Sequence, residues 1–151
     1  MKQEHLTKEA ELQTYFINRI ENYLNTKGKK IIGWDEILEG GLSPEATVMS
    51  WRGEAGGIAS ALQDHDAIMT PGGNGMYLDT FQGDSKIEPV SIGGYTLLEK
   101  VYSYNPVPDT LVTLGKDKHI KGVQANHWSE YMYNTDIMEY RMYPRLSLIH
   151  I

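Results

Sequence analysis

Short apolar segments without alternating polar positions recur along the chain, at residues 31–34, 47–51, 67–70 and 120–125. Strands covered on both faces have this character, because neither face needs polar residues to meet water. Helical patterns or long connections separate the segments, which is the order of elements found in βα units. The pattern therefore predicts an α/β fold with a four-stranded parallel sheet.

The clearest helical pattern covers residues 8–27. Its apolar positions repeat every three or four residues and fall on one stripe, at Leu12, Phe16, Ile20 and Leu24. Thr7 is placed to cap the helix start and Gly28 to follow its end. We therefore expect an amphipathic helix ahead of the first strand.

Further helices are predicted at residues 54–63, 95–104 and 136–149, with Pro144 interrupting the last one. The Gly56-Gly57 pair weakens the helix at 54–63 but lets it approach the sheet closely. A polar connection at residues 80–91 has no pattern of its own. Connections of this length inside a compact domain usually carry function or are ordered by a ligand.

Large aromatic side chains occupy the ends of the predicted strands. Trp34 and Trp51 close the first two strands, and Trp128 follows the fourth. Tyr77 and Asp79 come after the third strand. The carboxyl ends of parallel strands share one edge of the sheet, so these side chains should converge there.

The chemistry of this edge suits a sugar. An indole gives a ring face that stacks on the apolar face of a pyranose, and carboxylates such as Asp79 and Glu130 accept hydrogen bonds from hydroxyls. Structural alternatives stay open: core packing for the tryptophans and Tyr77, a turn cap for Asp79, and a solvated or helix-start charge for Glu130.

Composition narrows the class of partner. The chain has 151 residues, 40% of them apolar, which suffices for one domain or for a piece of a larger one. A net charge of −6 argues against nucleic acid, because its phosphates would be repelled. The apolar runs are too short to span a membrane, and the polar residues 1–5 do not suggest a signal peptide.

No metal or cofactor is expected. The lack of cysteine excludes disulfides and thiolate ligands. The histidines have no metal-like spacing and are interpreted as structural; they are His5, His65, His119, His127 and His150. Arg52 is expected to pair with a carboxylate rather than to bind substrate.

Four segments in order resemble the successive signatures of glycoside hydrolase family 20, the β-N-acetylhexosaminidases. They are KKIIGWDEI at 29–37, VMSWRG at 48–53, MTPGGNGMYLD at 69–79 and GVQANHWSE at 122–130. The family folds as an eight-stranded β/α barrel. The resemblance implies that residues 1–151 form a single partial domain, the C-terminal half of that barrel with its strands five to eight.

The resemblance also implies a substrate-assisted, retaining hydrolysis of terminal N-acetylhexosamine from glycans. Tyr77 would donate its hydroxyl proton to the acetamido carbonyl, as a catalytic positioning group. Trp34, Trp51 and Trp128 would surround the acetamido methyl and the sugar ring. The 4- and 6-hydroxyls would bind Asp79 and Glu130.

The family's Asp-Glu pair, which orients the acetamido group and protonates the leaving oxygen, has no counterpart here, since no His-x-Gly-Gly-Asp-Glu-like segment occurs. Asp35-Glu36 is not a substitute, because adjacent side chains on a strand point to opposite faces. We interpret it as a source of structural hydrogen bonds. The chain alone is expected to be inactive.

Half a barrel has two open sheet edges, which favour pairing with the missing half or a second copy. The alternative function is a non-catalytic carbohydrate-binding or assembly fragment. The sequence does not identify a compartment, although the resemblance suggests a periplasmic or extracellular parent.

Overall fold

The computed structural model describes residues 8–149, in which four strands form one parallel sheet. The strands are β1 (Ile32–Trp34), β2 (Thr47–Ser50), β3 (Ala67–Met69) and β4 (Ile120–Val123), and they pair in the order β1-β2-β3-β4. Each strand lies within a segment predicted from its apolar run. The predicted α/β fold with parallel strands is therefore confirmed.

Helices precede β1, follow β4 and lie in the connections from β2 to β3 and from β3 to β4. They are α1 (Glu9–Thr26), α2 (Ala55–Leu62), α3 (Leu98–Tyr102), α4 (Asp109–Thr113) and α5 (Thr135–Met142). Single 3₁₀ turns lie at Asp35–Leu38, Gly72–Asn74, Asp117–His119 and Arg145–Leu148. None of the helices within residues 8–149 has the length and apolarity that crossing a membrane requires.

The predicted end of α1 is confirmed. Gly28 has a φ of +66°, and the Lys29 amide donates to the Leu24 carbonyl at 3.0 Å, which closes the helix with a Schellman motif. Leu24 packs with Ile31 and Val48 in one core cluster. The predicted stripe is only partly buried, however, because Phe16 stays 60% exposed.

Helix α2 lies directly against the sheet, as its glycines predicted. A Cβ on Gly56 would come within 2.8 Å of the Asp35 side chain, and one on Gly57 within 2.4 Å of Met69 Sδ. Met69 and Ser50 are fully buried beneath the helix. Only hydrogen in place of a side chain permits this approach.

The helices that follow β3 differ from the prediction. The helix expected at 95–104 is confined to α3, because Tyr95 forms a β-bridge with Phe81 and the Thr96 amide donates to the Phe81 carbonyl at 2.9 Å. Helix α4 was not predicted, although Pro108 and Asp109 are typical of a helix start.

The last predicted helix, at 136–149, is also shorter than expected. Helix α5 ends at Met142, because Tyr143 is extended (φ −102°, ψ 144°) ahead of Pro144. The chain then resumes as a 3₁₀ turn at Arg145–Leu148.

The predicted cap of the first helix also needs correction: Lys8, not Thr7, is the N-cap residue of α1, and its backbone amide donates to the Glu11 carboxylate at 3.1 Å. Thr7, His5 and His150 themselves lie outside the described residues.

Candidate functional site

The aromatic side chains at the strand ends converge on one hollow, as expected. The ring centroids of Trp34 and Trp128 are 5.9 Å apart, and those of Tyr77 and Trp128 are 6.4 Å apart. Trp51 lies nearly parallel to Tyr77, with 6.4 Å between centroids and 10° between planes. Four rings from three strand ends and one following segment therefore form a continuous aromatic wall.

A bridge beyond the strands brings Tyr77 to this wall. The Leu78 amide donates to the Asn126 carbonyl at 2.8 Å, and the Asn126 amide donates to the Met76 carbonyl at 2.7 Å. Tyr77 and Asn126 are thus paired in parallel after the loop that follows β3. Gly72 lies behind the Tyr77 ring, where a Cβ would come within 3.1 Å of it.

The hollow has a volume of about 400 Å³, within the range of small-molecule sites. It is lined by Trp34, Glu36, Trp51, Tyr77, Asp79, Thr80, Ile92, Trp128 and Glu130. All six residues singled out in the sequence line it. The other three, Glu36, Thr80 and Ile92, were missed by sequence reasoning.

Two carboxylates fix Trp51 in the wall. Its indole Nε1 donates to the Glu36 carboxylate at 3.0 and 3.1 Å, and its backbone amide donates to Asp35 Oδ2 at 3.1 Å. Arg52 forms ion pairs with Asp35 at 2.6 Å and with Glu39 at 2.7 Å, which confirms its predicted pairing with a carboxylate. Asp35 is 2% exposed, so its role is structural.

Glu36 was missed because the backbone there is not extended. Asp35–Leu38 forms a 3₁₀ turn, so the alternation of a strand does not apply to Asp35 and Glu36. The turn buries Asp35 beside the Trp51 amide and leaves Glu36 at the hollow. The sequence held only a weak signal for this, an acid two residues after a strand-end tryptophan.

Asp79 is buried at the hollow with unused hydrogen-bonding capacity. It is 2% exposed, and its Oδ1 has no hydrogen-bond partner among residues 8–149. Burial raises the pKa of this carboxyl, and the charge of Glu130 raises it further. A hydrogen bond from the Asp79 backbone amide opposes the rise, as do the charges of Arg141 and Arg145. A ligand hydroxyl would supply the missing donor.

Tyr77 presents a protonated hydroxyl. Burial raises its pKa above the usual value, and hydrogen bonding with Trp128 and Asn126 partly offsets that rise. The group therefore remains a hydrogen-bond donor at neutral pH. Glu130 is exposed at the rim, where it can accept from an entering ligand.

Thr80 and Ile92 reach the hollow from the long connection between β3 and α3. The connection folds back on itself, since the Phe81 amide donates to the Gly94 carbonyl at 3.1 Å. Ile92 keeps 57% of its surface exposed and completes the apolar side of the wall. No group of three or more histidine or acidic side chains within residues 8–149 is arranged to hold a metal ion.

Known proteins of similar sequence are hexosaminidases of one glycoside hydrolase family. The model of the glycosyl hydrolase family 20 catalytic domain matches residues 1–149. A β-hexosaminidase of Porphyromonas gingivalis is 57% identical over 99% of this chain, and one of Vibrio furnissii is 34% identical over 99%. The chain spans only 19% and 24% of the lengths of these two relatives.

Solved structures give the same result. The family 20 exo-β-N-acetylglucosaminidase of Vibrio harveyi, in complex with N-acetylglucosamine, superposes with a TM-score of 0.82 at 30% identity. The match covers 98% of this chain and 23% of that one. With a family match over nearly its whole length, the chain belongs to glycosyl hydrolase family 20, as part of its catalytic domain.

Proposed function

We propose that this chain provides the sugar-binding half of a β-N-acetylhexosaminidase, a single partial domain with strands five to eight of the barrel. The observation that carries the proposal is the convergence of four aromatic rings with Asp79 and Glu130 on one hollow of about 400 Å³. The Vibrio harveyi relative, described in complex with N-acetylglucosamine, supports the choice of sugar.

Tyr77 would position the acetamido group. Its hydroxyl keeps its proton at neutral pH and can donate to the acetamido carbonyl oxygen. In substrate-assisted hydrolysis that oxygen attacks the anomeric carbon of its own sugar, while the bond to the leaving group breaks. Holding the nucleophilic oxygen in place makes the attack an oriented, intramolecular step.

The tryptophans would form the apolar part of the site. Trp34, Trp51 and Trp128 would enclose the acetamido methyl and one face of the pyranose. Trp128 is 42% exposed, which leaves ring surface free for stacking. Glu36 would act on the sugar only indirectly, by holding the Trp51 indole.

Asp79 and Glu130 would bind the 4- and 6-hydroxyls of the sugar. Asp79 has an oxygen without a donor among residues 8–149, and Glu130 lies at the rim. The leaving oxygen still needs a proton, which the Glu of the family's Asp-Glu pair would supply. We propose that this pair comes from outside the 151 residues, so that the chain alone binds sugar without cleaving glycosides.

Calorimetric titration of the purified chain tests the proposal. N-acetylglucosamine should bind more tightly than glucose, because glucose lacks the acetamido group that Tyr77 and the indoles would receive. Equal affinities for the two sugars would overturn the assignment. A chromogenic N-acetylglucosaminide should release no chromophore, and turnover by the pure chain would refute the proposed inactivity.

The sheet edges are the second part of the proposal. Strands β1 and β4 are the outer strands of the sheet, and Ile32 on β1 is 55% exposed. We propose that further strands pair with these edges, either those of the rest of the barrel or those of a second copy. Sedimentation velocity distinguishes a dimer of the isolated chain from a monomer.

A further inference from the structure

Two arginines behind the hollow are buried and have no carboxylate partner among residues 8–149. Arg141 is 2% exposed and Arg145 is fully buried. The hydrogen bonds of both side chains go to backbone carbonyls and one hydroxyl rather than to carboxylates. Burying a cation in this way is unfavourable unless something nearby compensates the charge.

Arg145 ties together the start and the end of the connection that follows Tyr77. Its Nη2 donates to the Leu78 carbonyl at 2.5 Å, and its Nη1 donates to the Thr96 carbonyl at 3.0 Å. Further bonds reach the carbonyl and hydroxyl of Thr80 at 3.3–3.4 Å. One guanidinium therefore fixes both ends of a segment whose middle contributes Ile92 to the hollow.

Arg141 holds the backbone of Asp79 itself. Its Nη1 donates to the Asp79 carbonyl at 3.3 Å, and its Nη2 donates to the Val90 carbonyl. The Ser91 hydroxyl donates to the same Asp79 carbonyl. Asp79 thus lies between the hollow and two guanidinium groups, close enough for both to favour its ionised form.

We propose that Arg141 and Arg145 are positioning residues of the sugar site, which hold Asp79 at the wall and keep its carboxylate charged when a ligand excludes water. This inference rests on the proposed function for its sugar, but the effect on Asp79 exists without ligand. Desolvation disfavours a charged carboxylate, and a nearby cation opposes that effect. The arginines thereby preserve the acceptor that a sugar hydroxyl needs.

Other titratable groups near Asp79 could also change its pKa. Glu130 opposes ionisation of Asp79 from the rim, and Tyr77 stays neutral at neutral pH. Burial lowers the pKa of His127, as do Arg141 and Arg145, so this ring is neutral in the same range. Burial lowers the pKa of Arg145 to about 10, and Glu88 on the far side of the arginines opposes that fall, so Arg145 stays charged at neutral pH.

Tyr140 is the remaining titratable group near Arg145. Burial raises its pKa, as does Glu88, so it too is neutral at the pH values of interest. At neutral pH the titratable rings around Asp79 and the arginines, those of Tyr77, His127 and Tyr140, are therefore uncharged in the wild type. Because Arg141 also lowers the pKa of His127, the His127 ring is titrated in parallel, which separates its change of charge from that of Asp79.

The test is an NMR titration of the Asp79 carboxyl carbon in the ligand-free 151-residue chain. Arg141→Met should raise the titration midpoint by about one pH unit, the lower end of the effect of a neighbouring opposite charge. Arg141→Lys should retain most of the wild-type midpoint. Arg19→Met, on α1 and bonded to Tyr15, is the control and should leave Asp79 unchanged.

Sugar binding gives the second readout. At a pH where Asp79 is ionised in the wild type but not in Arg141→Met, affinity for N-acetylglucosamine should fall several-fold, and the loss should shrink at higher pH. A folded Arg141→Met chain with an unchanged Asp79 midpoint would overturn the inference. If Arg141→Met shifts the Asp79 midpoint but the wild-type chain binds no sugar, only the proposed function is refuted.

Arg145→Lys covers the case in which Arg141→Met does not fold. It keeps the positive charge but loses the forked donors, so amide hydrogen exchange at Phe81 and Thr96 should quicken while circular dichroism stays native. Unchanged exchange at both amides would contradict the anchoring role. Arg19→Lys is the matched control and should leave both amides as they are in the wild type.

Discussion

Charged side chains are arranged in opposite ways at the two ends of the parallel strands, here called the amino edge and the carboxyl edge. At the amino edge, Asp64 pairs with Lys116 at 2.5 Å and with His119 at 3.2 Å, while Asp66 pairs with His119 at 3.3 Å and with Lys121 at 3.2 Å. At the carboxyl edge, Asp79 is buried with an oxygen that has no donor among residues 8–149.

This difference indicates that the charges at the amino edge serve stability and that Asp79 at the carboxyl edge serves ligand binding. Charges that satisfy one another contribute to the folded state and leave nothing for a ligand, whereas an unsatisfied buried acceptor has capacity that a ligand can use. In β/α barrels the site-forming loops follow the carboxyl ends of the strands, and the opposite face serves stability. The predictions below test this separation.

The largest effect is expected for Asp79→Asn. A hydrogen bond to a charged group contributes about 1.5–3 kcal/mol, so affinity for N-acetylglucosamine should fall by more than about tenfold. Calorimetric titration measures the change. Asp64→Asn at the amino edge is the matched control and should leave affinity unchanged; similar losses at both edges would contradict the separation.

The pH dependence of binding should follow Asp79. Its pKa is raised, mainly by burial, so it takes up a proton at a higher pH than an ordinary aspartate does. Protonation removes the charged acceptor, and sugar affinity should decline as the pH falls, by up to the Asp79→Asn loss. Titrations at a series of pH values in wild type and Asp79→Asn test this, and the variant should lack that part of the decline.

Stability should respond to pH with opposite signs at the two edges. Because the Asp79 pKa is raised in the fold, its protonation stabilises the folded chain as the pH falls. The Asp64 pKa is lowered, chiefly by its hydrogen bond with Lys116, so its contribution is lost only at more acidic pH. Thermal melts measured at a series of acidic pH values test this. Asp79→Asn should lack the stabilisation that protonation of Asp79 gives, and Asp64→Asn should lack the loss of stability that protonation of Asp64 causes.

A smaller effect on binding is expected for Tyr77→Phe. Losing one neutral hydrogen bond to the acetamido carbonyl should weaken N-acetylglucosamine binding by about 0.5–1.5 kcal/mol, a few-fold to about tenfold, and should leave glucose binding unchanged. Calorimetry with both sugars measures this. Tyr23→Phe, on α1 and 61% exposed, is the control. An equal loss of affinity for both sugars would contradict the proposed hydrogen bond from Tyr77 to the acetamido group.

The smallest effect is expected for Lys116→Met. Asp64 is exposed, so water and salt screen the pair, and the melting temperature should fall only slightly. The decrease should vanish in high salt, and sugar affinity should not change. Thermal melts at low and high salt measure it; a loss of sugar affinity would show that the two edges are coupled.

Much of the fold was predictable because its signals are local. The apolar runs located β1 to β4, and Gly28 and the Gly56-Gly57 pair predicted a helix end and a close helix–sheet contact. The errors came where distant contacts override local preference. Tyr95 pairs with Phe81 rather than extending α3, and no local pattern contains that bridge.

The residues of the candidate site also fall into those with a local signal in the sequence and those without one. Trp34, Trp51, Tyr77, Asp79, Trp128 and Glu130 could be singled out, since a parallel sheet brings its carboxyl ends to one edge. Glu36 could not, because its direction depends on a 3₁₀ turn. Arg141 and Arg145 could not either, because their partners lie 49–67 residues away in the chain, apart from contacts within their own turn.

The sequence by itself determined the parallel α/β class, the edge at which the aromatic side chains gather, and the resemblance to family 20, since these depend on periodicity and on motifs read along the chain. Only the tertiary structure decided the distances between the rings, the burial of an Asp79 oxygen that has no donor among residues 8–149, and the burial of two arginines behind it. These features arise where segments far apart in sequence exclude water together, and the strength of every charge interaction there depends on that exclusion.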